Sequence, residues 1–367
     1  MKIAMVDLKR QYATIKNEID SAVHDVIEST QFILGKHVGE FECGCAGYLN
    51  AKYALGCASG TDALQIIMMA MGIKPGDEVI TTPFTFIATA ETIAILGAVP
   101  VYVDIDEKTY NIDPKKIEAA ITSKTKAVIP VHLYGQATDL DPIIEIAKKY
   151  NLSVIEDAAQ AFGTEYKGKK VGALADAGAT SFFPSKNLGA YGDAGMVFTN
   201  DEKLYEKMKM VAAHGSRERY IHEIPGINSR LDTLQAAILN VKLKYIEQWN
   251  KSREHNAKLY CERLSSGNVI VPFVAEFSNH IYHQFSIRVQ DRKGLQEFLA
   301  SREIPVAVHY PVPLHHQPAF KHLSEGLKLP VVEKITQEII SLPMYPELSV
   351  EEIDYITSNI LEFVGNK

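Results

Sequence analysis

Apolar residues in this chain come in short blocks separated by polar turns, and the spacing within the blocks changes along its length. Between about residues 53 and 200, runs rich in Val, Ile or Phe at 78–82, 99–105, 126–133, 152–156, 178–183 and 195–199 read as strands. Between them, 87–96 and 140–150 have helical spacing, the latter with Ile143, Ile146 and Ala147 on one side. Leu64, Ile67, Met68 and Met71 form an earlier helical stripe whose methionines read as core packing. Strands alternating with helices predict a mainly parallel sheet with helical crossovers. Further on, Leu234, Ile238, Val241, Tyr245 and Trp249 predict one long helix from Leu231 to about Leu264, with Ser229 and Asp232 as its start signal. Past Gly267 the pattern becomes a strand at 281–289, a helix at 293–302 and a strand at 306–310. A final helix through Phe363 is opened by the capping box Ser349 and Glu352. The expectation is a large domain over residues 1–250, N-terminal segment included, and a small α+β domain over 251–367.

Composition narrows the class. A chain of 367 residues exceeds one ordinary core, and 46% hydrophobic with 23% charged residues suits a globular protein. The net charge of -7 supplies no field that would draw nucleic acid or an anionic membrane. An anionic ligand would therefore need local basic groups or helix N-termini. Cys43, Cys45, Cys57 and Cys261 are too scattered for a disulfide framework or a zinc knuckle. Lys2, Asp7, Lys9 and Arg10 leave no apolar region for a signal peptide, and no apolar run approaches a membrane span. The expected location is the cytoplasm.

The candidate chemistry centres on Lys186, in the turn Ser181-Phe182-Phe183-Pro184-Ser185-Lys186-Asn187-Leu188-Gly189 after an apolar strand. A lysine so placed suits a Schiff-base nucleophile for pyridoxal phosphate. Asp157 closes the apolar run 152–156, at the edge where open α/β sheets place ligands, and could keep the cofactor's ring nitrogen protonated. Alone, an Asp after a strand is usually a helix cap or turn residue, and the later Lys186 turn is what favours the cofactor reading. Gly60 and Thr61 open a helix after a strand, which suits a phosphate at free N–H groups or ordinary N-capping. Ser181 and Ser185 are further phosphate candidates, Phe86 could stack on the ring, and Gln160 could lie over or beside it. No G-x-G-x-x-G occurs, and Lys170 replaces the Ser/Thr of a phosphate-loop match at 163–169, so a polar turn is the better reading there. His309, His315 and His316 suggest a metal, but Pro311 and Pro313 break their spacing and no acidic residue is near in sequence; no metal is expected.

With these residues in place the chain resembles the DegT/DnrJ/EryC1/StrS family of pyridoxal-phosphate-dependent aminotransferases, which act on nucleotide-linked keto sugars. The matching segments include Gly60-Thr61-Asp62-Ala63-Leu64, Glu156-Asp157-Ala158-Ala159-Gln160, Phe182-Phe183-Pro184-Ser185-Lys186, Asn228-Ser229-Arg230-Leu231 and Leu342-Pro343-Met344-Tyr345-Pro346. The resemblance implies the fold-type I aminotransferase architecture over essentially the whole chain. It implies Lys186 as the Schiff-base lysine, Asp157 at the ring nitrogen, and Gln160 and Phe86 holding the ring. Gly60, Thr61 and Ser181 would take the phosphate, and Asn228 would reach it from the second subunit of a homodimer. The stretch 308–315 is similar to aminotransferases of UDP-2-acetamido-2-deoxy-3-oxo-glucuronate, which serve bacterial surface polysaccharides. The family resemblance implies glutamate as donor, and the finer likeness puts Arg230 on the substrate carboxylate and His309 and Tyr310 along the sugar. Alternatives are an aminotransferase for a dTDP- or UDP-linked 3-keto or 4-keto 6-deoxy sugar, and a cofactor-binding sensor on the same fold. Lysine at position 186 argues against the related dehydratases, which carry histidine there.

Overall fold

Asp7 starts the first helix, its carboxylate accepting the N–H groups of Lys9 and Arg10 at 3.1 and 3.0 Å. This helix, α1 (Leu8–Ser29), buries only Gln11, Ile15, Ile19 and Val26, a stripe too sparse for the sequence reading to have registered. Helix α2 (Lys36–Leu49) follows, burying Val38, Phe41, Cys45 and Leu49. The computed structural model describes residues 3–265 and 268–365, so Lys2 and Gly267 lie outside the described residues.

The expected alternation then begins. Strands β1 (Tyr53–Cys57), β2 (Glu78–Thr81), β3 (Val99–Tyr102), β4 (Thr125–Ile129) and β5 (Ser153–Asp157) are followed by a small hairpin, β6 (Glu165–Tyr166) and β7 (Lys169–Lys170). Lys167 and Gly168 turn that hairpin with positive φ, the polar turn read from the sequence. After it come β8 (Ala177–Ser181) and β9 (Gly195–Thr199). Seven strands form the main sheet in the order β1-β9-β8-β5-β4-β2-β3, all parallel except β9. The crossovers include α3 (Gly60–Met71), α4 (Ala88–Ile95), the short α5 (Pro114–Ile117) and α6 (Leu140–Tyr150), and α7 (Glu202–Ala212) follows β9. The strand pleat sorts the core into two layers. Val79, Ala127, Ile129 and Ile155 pack with Leu64, Ile67 and Met68 of α3, while Ile80, Val128 and Val154 pack with Ile143 and Ala147 of α6. Helices on both faces explain why these strands read as continuous apolar runs.

A short hairpin, β10 (Ser216–Glu218) and β11 (Ile221–His222), leads to α8 (Thr233–Leu243) and α9 (Ile246–Leu264). Here the single long helix expected from the sequence is broken. The N–H groups of Lys244 and Tyr245 bond back three residues, to Val241 and Lys242, which tightens the turn. Tyr245 then stacks on Trp249 (ring centroids 5.8 Å apart) and bonds Glu18 of α1. The start signal also differs: Ser229 instead accepts the N–H of Ala58 at 3.0 Å, and Asp232 holds the cap position without a side-chain bond.

Beyond α9 lie β12 (Phe285–Arg288), α10 (Arg292–Ser301), α11 (Pro330–Glu338), β13 (Ile339–Leu342) and α12 (Val350–Gly365). Ala257, Tyr260, Phe285, Leu295, Leu299, Ile340 and Ile356 share one apolar core. The capping box forms as read, Ser349 and Glu352 exchanging bonds of 2.9 and 3.2 Å, and Glu352 also holds Arg10 of α1 in a two-pronged ion pair. The strand expected at 306–310 is absent. Only Ala307 bridges to Ser341, because the segment bends away to line the pocket described below. Likewise, the strand expected at 126–133 ends at Ile129, ahead of Pro130. No helix among the described residues is long and apolar enough to cross a membrane.

Candidate active site

β1, β5 and β8 run parallel, so the residues that leave their carboxyl ends meet at one edge of the sheet. Helix α3 starts there, packed so closely that a Cβ on Gly60 would lie 2.7 Å from the Cβ of Ser181. A Cβ on Gly195 would lie 2.3 Å from the Ser59 carbonyl. Glycine at both positions is what seats the helix N-terminus on the strand ends. Ser59, not Gly60 or Thr61, caps the helix, its hydroxyl accepting the Asp62 N–H at 3.1 Å. The N–H groups of Gly60 and Thr61 thus head a twelve-residue helix with no acceptor inside it, beside Ser181.

Asp157 ends β5 and is locked there by main-chain bonds from its N–H to Pro130 (2.9 Å) and from His132 to its carbonyl (3.0 Å). Its carboxylate accepts the hydroxyl of Thr89 at 2.8 Å and the N–H of Ala159 at 3.2 Å. Burial pushes this carboxyl above the usual range, while those two donors and the charge of Lys186 pull it back. Beneath it, buried Glu156 accepts N–H groups of Gly172, Leu174 and Ala175 (2.7, 2.6 and 2.8 Å) and meets His132 at 3.1 Å. The strand end therefore cannot shift without breaking that nest.

Lys186 lies in a turn closed by its own N–H to Phe183 (2.8 Å) and by Ala190 to Phe182 (2.8 Å). Gly189 backs directly onto the Pro184 carbonyl, 2.3 Å from where a Cβ would stand. Two groups that sequence reasoning missed anchor the turn. The Asn187 amide donates to Asn250 at 2.8 Å, and the ammonium of fully buried Lys242 donates to the Gly189 carbonyl at 2.6 Å. Burial pushes Lys186 down to about 8, against the opposing pull of Asp157. No side-chain hydrogen bond ties its amine among the described residues, and the residue remains partly accessible. An amine this close to neutrality, facing a carboxylate, can both attack a carbonyl carbon and carry a proton.

Around this centre lies an aromatic wall. Phe86 is 56% exposed, with its ring 6.3 Å from that of Tyr310. The Gln160 amide accepts the Tyr134 N–H at 2.8 Å and donates to the Tyr310 hydroxyl at 3.0 Å, so its orientation is fixed. His309 bonds Ser341 at 2.9 Å, and burial together with the charge of Lys186 brings it down to about 4. His283, which no sequence motif marked, is buried in reach of the same charge, with its Nδ1 unpartnered among the described residues. Ser185 is half-buried in the Lys186 turn. Asn228 and Arg230 stand apart: both are exposed and have no side-chain bond among the described residues, while Ser229 between them is buried.

This set of groups fits pyridoxal 5′-phosphate: an amine of depressed basicity, a buried carboxylate, two free N–H groups beside a hydroxyl, and an exposed ring for stacking. Thr89 and Tyr134 support it and were invisible in the sequence, because only tertiary packing brings them to Asp157 and Gln160. One sequence argument is overturned. Glu333 of α11 lies 3.3 Å from His315 and 3.7 Å from His316, so an acidic group does stand beside this pair; His309 is bonded elsewhere.

The chain matches the DegT/DnrJ/EryC1/StrS aminotransferase family model over residues 13–361. It is 50% identical over 368 residues to a pleiotropic regulatory protein of Geobacillus stearothermophilus, covering 99% of both chains. It is also 50% identical over 354 residues to the UDP-2-acetamido-2-deoxy-3-oxo-D-glucuronate aminotransferase of Pseudomonas aeruginosa, covering 96% of this chain and 98% of that one. The structure of S. venezuelae DesV in complex with a ketimine intermediate superposes with a TM-score of 0.96 at 38% identity, covering 99% of this chain and 98% of that one. The fold is that of the fold-type I aminotransferases.

Proposed function

The chain belongs to the DegT/DnrJ/EryC1/StrS aminotransferase family and is a pyridoxal-phosphate-dependent sugar aminotransferase, and we propose that it moves an amino group from glutamate to UDP-2-acetamido-2-deoxy-3-oxo-glucuronate. The observation that carries the substrate is the 50% identity to the Pseudomonas aeruginosa enzyme over nearly the full length of both chains. When bound, the cofactor supplies an electron sink for the bond broken at the carbon bearing the amine. The chain's own residues do the rest. Asp157, oriented by Thr89 and the Ala159 N–H, which oppose the upward push of burial, would hold the proton on the ring nitrogen. The N–H groups of Gly60 and Thr61 with the Ser181 hydroxyl would take the phosphate, while Gln160 and Phe86 fix the ring plane. Lys186 would anchor the cofactor and, once released from it, pass the proton between the substrate carbon and the cofactor.

The outer wall is assigned to the substrate: Arg230 to the sugar carboxylate, His309 and Tyr310 to the sugar ring. The Asn228 and Arg230 side chains are exposed and have no hydrogen-bond partner among the described residues, which supports a homodimer in which each copy completes the other's pocket. The exposed apolar residues Phe86, Phe183, Tyr220 and Ile221 point the same way. A product of this kind would serve bacterial surface polysaccharide synthesis.

The test is a glutamate-dependent amination screen over UDP- and dTDP-linked 3-keto and 4-keto sugars, with and without a C6 carboxylate. Turnover is expected on the UDP-linked 3-keto acid. Activity confined to sugars without the carboxylate would overturn the role of Arg230, and preference for a dTDP sugar would move the substrate. A second reading, a cofactor-binding regulator, is favoured by the name of the Geobacillus relative. It predicts a yellow protein whose spectrum does not respond to glutamate.

A further inference from the structure

We propose that His315, His316 and Glu333 bind one Zn2+ ion per chain, tying the loop that carries His309 and Tyr310 to helix α11. The adjacent histidines sit in a single 3-10 turn, Leu314–His316, and Glu333 lies in the first turn of α11. Their ligand atoms all lie within 4.8 Å of one another, with Glu333 Oε1 3.3 Å from His315 Nε2 and 3.7 Å from His316 Nε2. Four ligands at zinc–nitrogen distances of about 2.1 Å around a tetrahedral ion stand roughly 3.4 Å apart, so these side chains need little movement to share one centre. Two imidazoles and a carboxylate also form a ligand set that zinc accepts, with water in the fourth position.

The surroundings favour a cation. The His315 side chain is fully buried and its Nδ1 has no partner among the described residues, so there the ring's polar contact is made through Nε2. Its ring is held between Tyr102 and His316, with centroids 6.4 and 4.1 Å away. Glu333 is itself oriented by the Leu329 N–H at 3.0 Å. Asp104, which caps α11 through the N–H groups of Val331 and Val332, adds a second negative charge that bears on His315. His316 and Glu333 are 50% and 34% exposed in their side chains, so an ion can enter from solvent. The histidine turn is also tied to the pocket, because the Leu314 N–H donates to the Pro83 carbonyl at 2.8 Å, immediately before Phe84 and Phe86. An ion here would brace the crossing of two loops that line the pocket, a structural role distinct from the transamination chemistry.

The test uses chelator-treated holoenzyme titrated with Zn2+ alone against a chromophoric competitor, with bound metal counted by elemental analysis. The expected result is one ion per chain and a rise in thermal midpoint, with affinity falling by about tenfold or more in both His316→Ala and Glu333→Gln. Both substitutions are at partly exposed side chains, and glutamine keeps an acceptor for the Leu329 N–H. Absence of stoichiometric binding, or equal affinity in wild type and both variants, would overturn the proposal.

Discussion

Asp157 is 4% exposed, accepts two hydrogen bonds and ends a strand held on both sides, whereas Asn228 and Arg230 lie in solvent with no side-chain partner among the described residues. The inner half of the pocket is fixed by main-chain geometry: strand ends, the first turn of α3, and a lysine turn closed on its own backbone. The outer half is loop and surface. The difference teaches that the groups suited to the cofactor are preorganised by main-chain geometry, while Asn228 and Arg230 are left open, as the proposed second copy would require.

The largest effect should therefore come from the inner half. Asp157→Ala is expected to lower kcat by about 10²–10³-fold and to weaken cofactor retention, as loss of a preorganised charge does elsewhere; steady-state rates and the visible absorbance measure both. A near-wild-type rate would remove Asp157 from the chemistry. Arg230→Ala should act more gently and selectively. A charge-assisted bond worth about 1.5–3 kcal/mol implies a KM raised roughly 10–100-fold for the carboxylated sugar and little change for one without the carboxylate. An equal loss on both would mean that the outer half shapes the whole pocket.

The smallest effect concerns the anchor of the Lys186 turn. Lys242 is fully buried, and burial pushes it down to about 7 from an ordinary 10.5. Between those values the unfolded chain binds the proton that the folded chain has released, so stability contributed through this group rises with pH across that window. Below about 7 both states are protonated and the dependence ends. Thermal unfolding of the cofactor-free protein from pH 6 to 10 should show this rise, and Lys242→Met should flatten it. An unchanged slope in the variant would assign the dependence to other groups.

How much of this was legible follows the same division. The strands of the main sheet, Asp157, the Lys186 turn, the two-residue turn at Lys167 and Gly168, and the Ser349–Glu352 box are local patterns that the sequence displays directly, whereas strand ends such as that at Ile129 are not. Helix α1 was missed because Ile15, Ile19 and Val26 are its only buried apolar residues in twenty-two. The break after Leu243 was hidden because Tyr245 and Trp249 keep helical spacing through it, and only the bond to Glu18 on another helix reveals it. Thr89 on Asp157 and Glu333 on His315 join residues 68 and 18 positions apart, which no spacing rule reaches.

The central claim is the proposal that Asn228 and Arg230 of one copy complete the pocket that Lys186, Asp157, His309 and Tyr310 form in the other. It is tested most directly by co-expressing Lys186→Ala, inactive alone, with a chain carrying both Asn228→Ala and Arg230→Ala, impaired alone, and assaying the mixture at substrate well below the KM of the doubly substituted chain. Random pairing makes half of the dimers hybrids, each with one intact pocket, so about one quarter of wild-type activity should return. If Lys186 and the Asn228–Arg230 pair serve one pocket within one chain, every pocket in the mixture carries a substitution and activity does not rise above that of the doubly substituted chain.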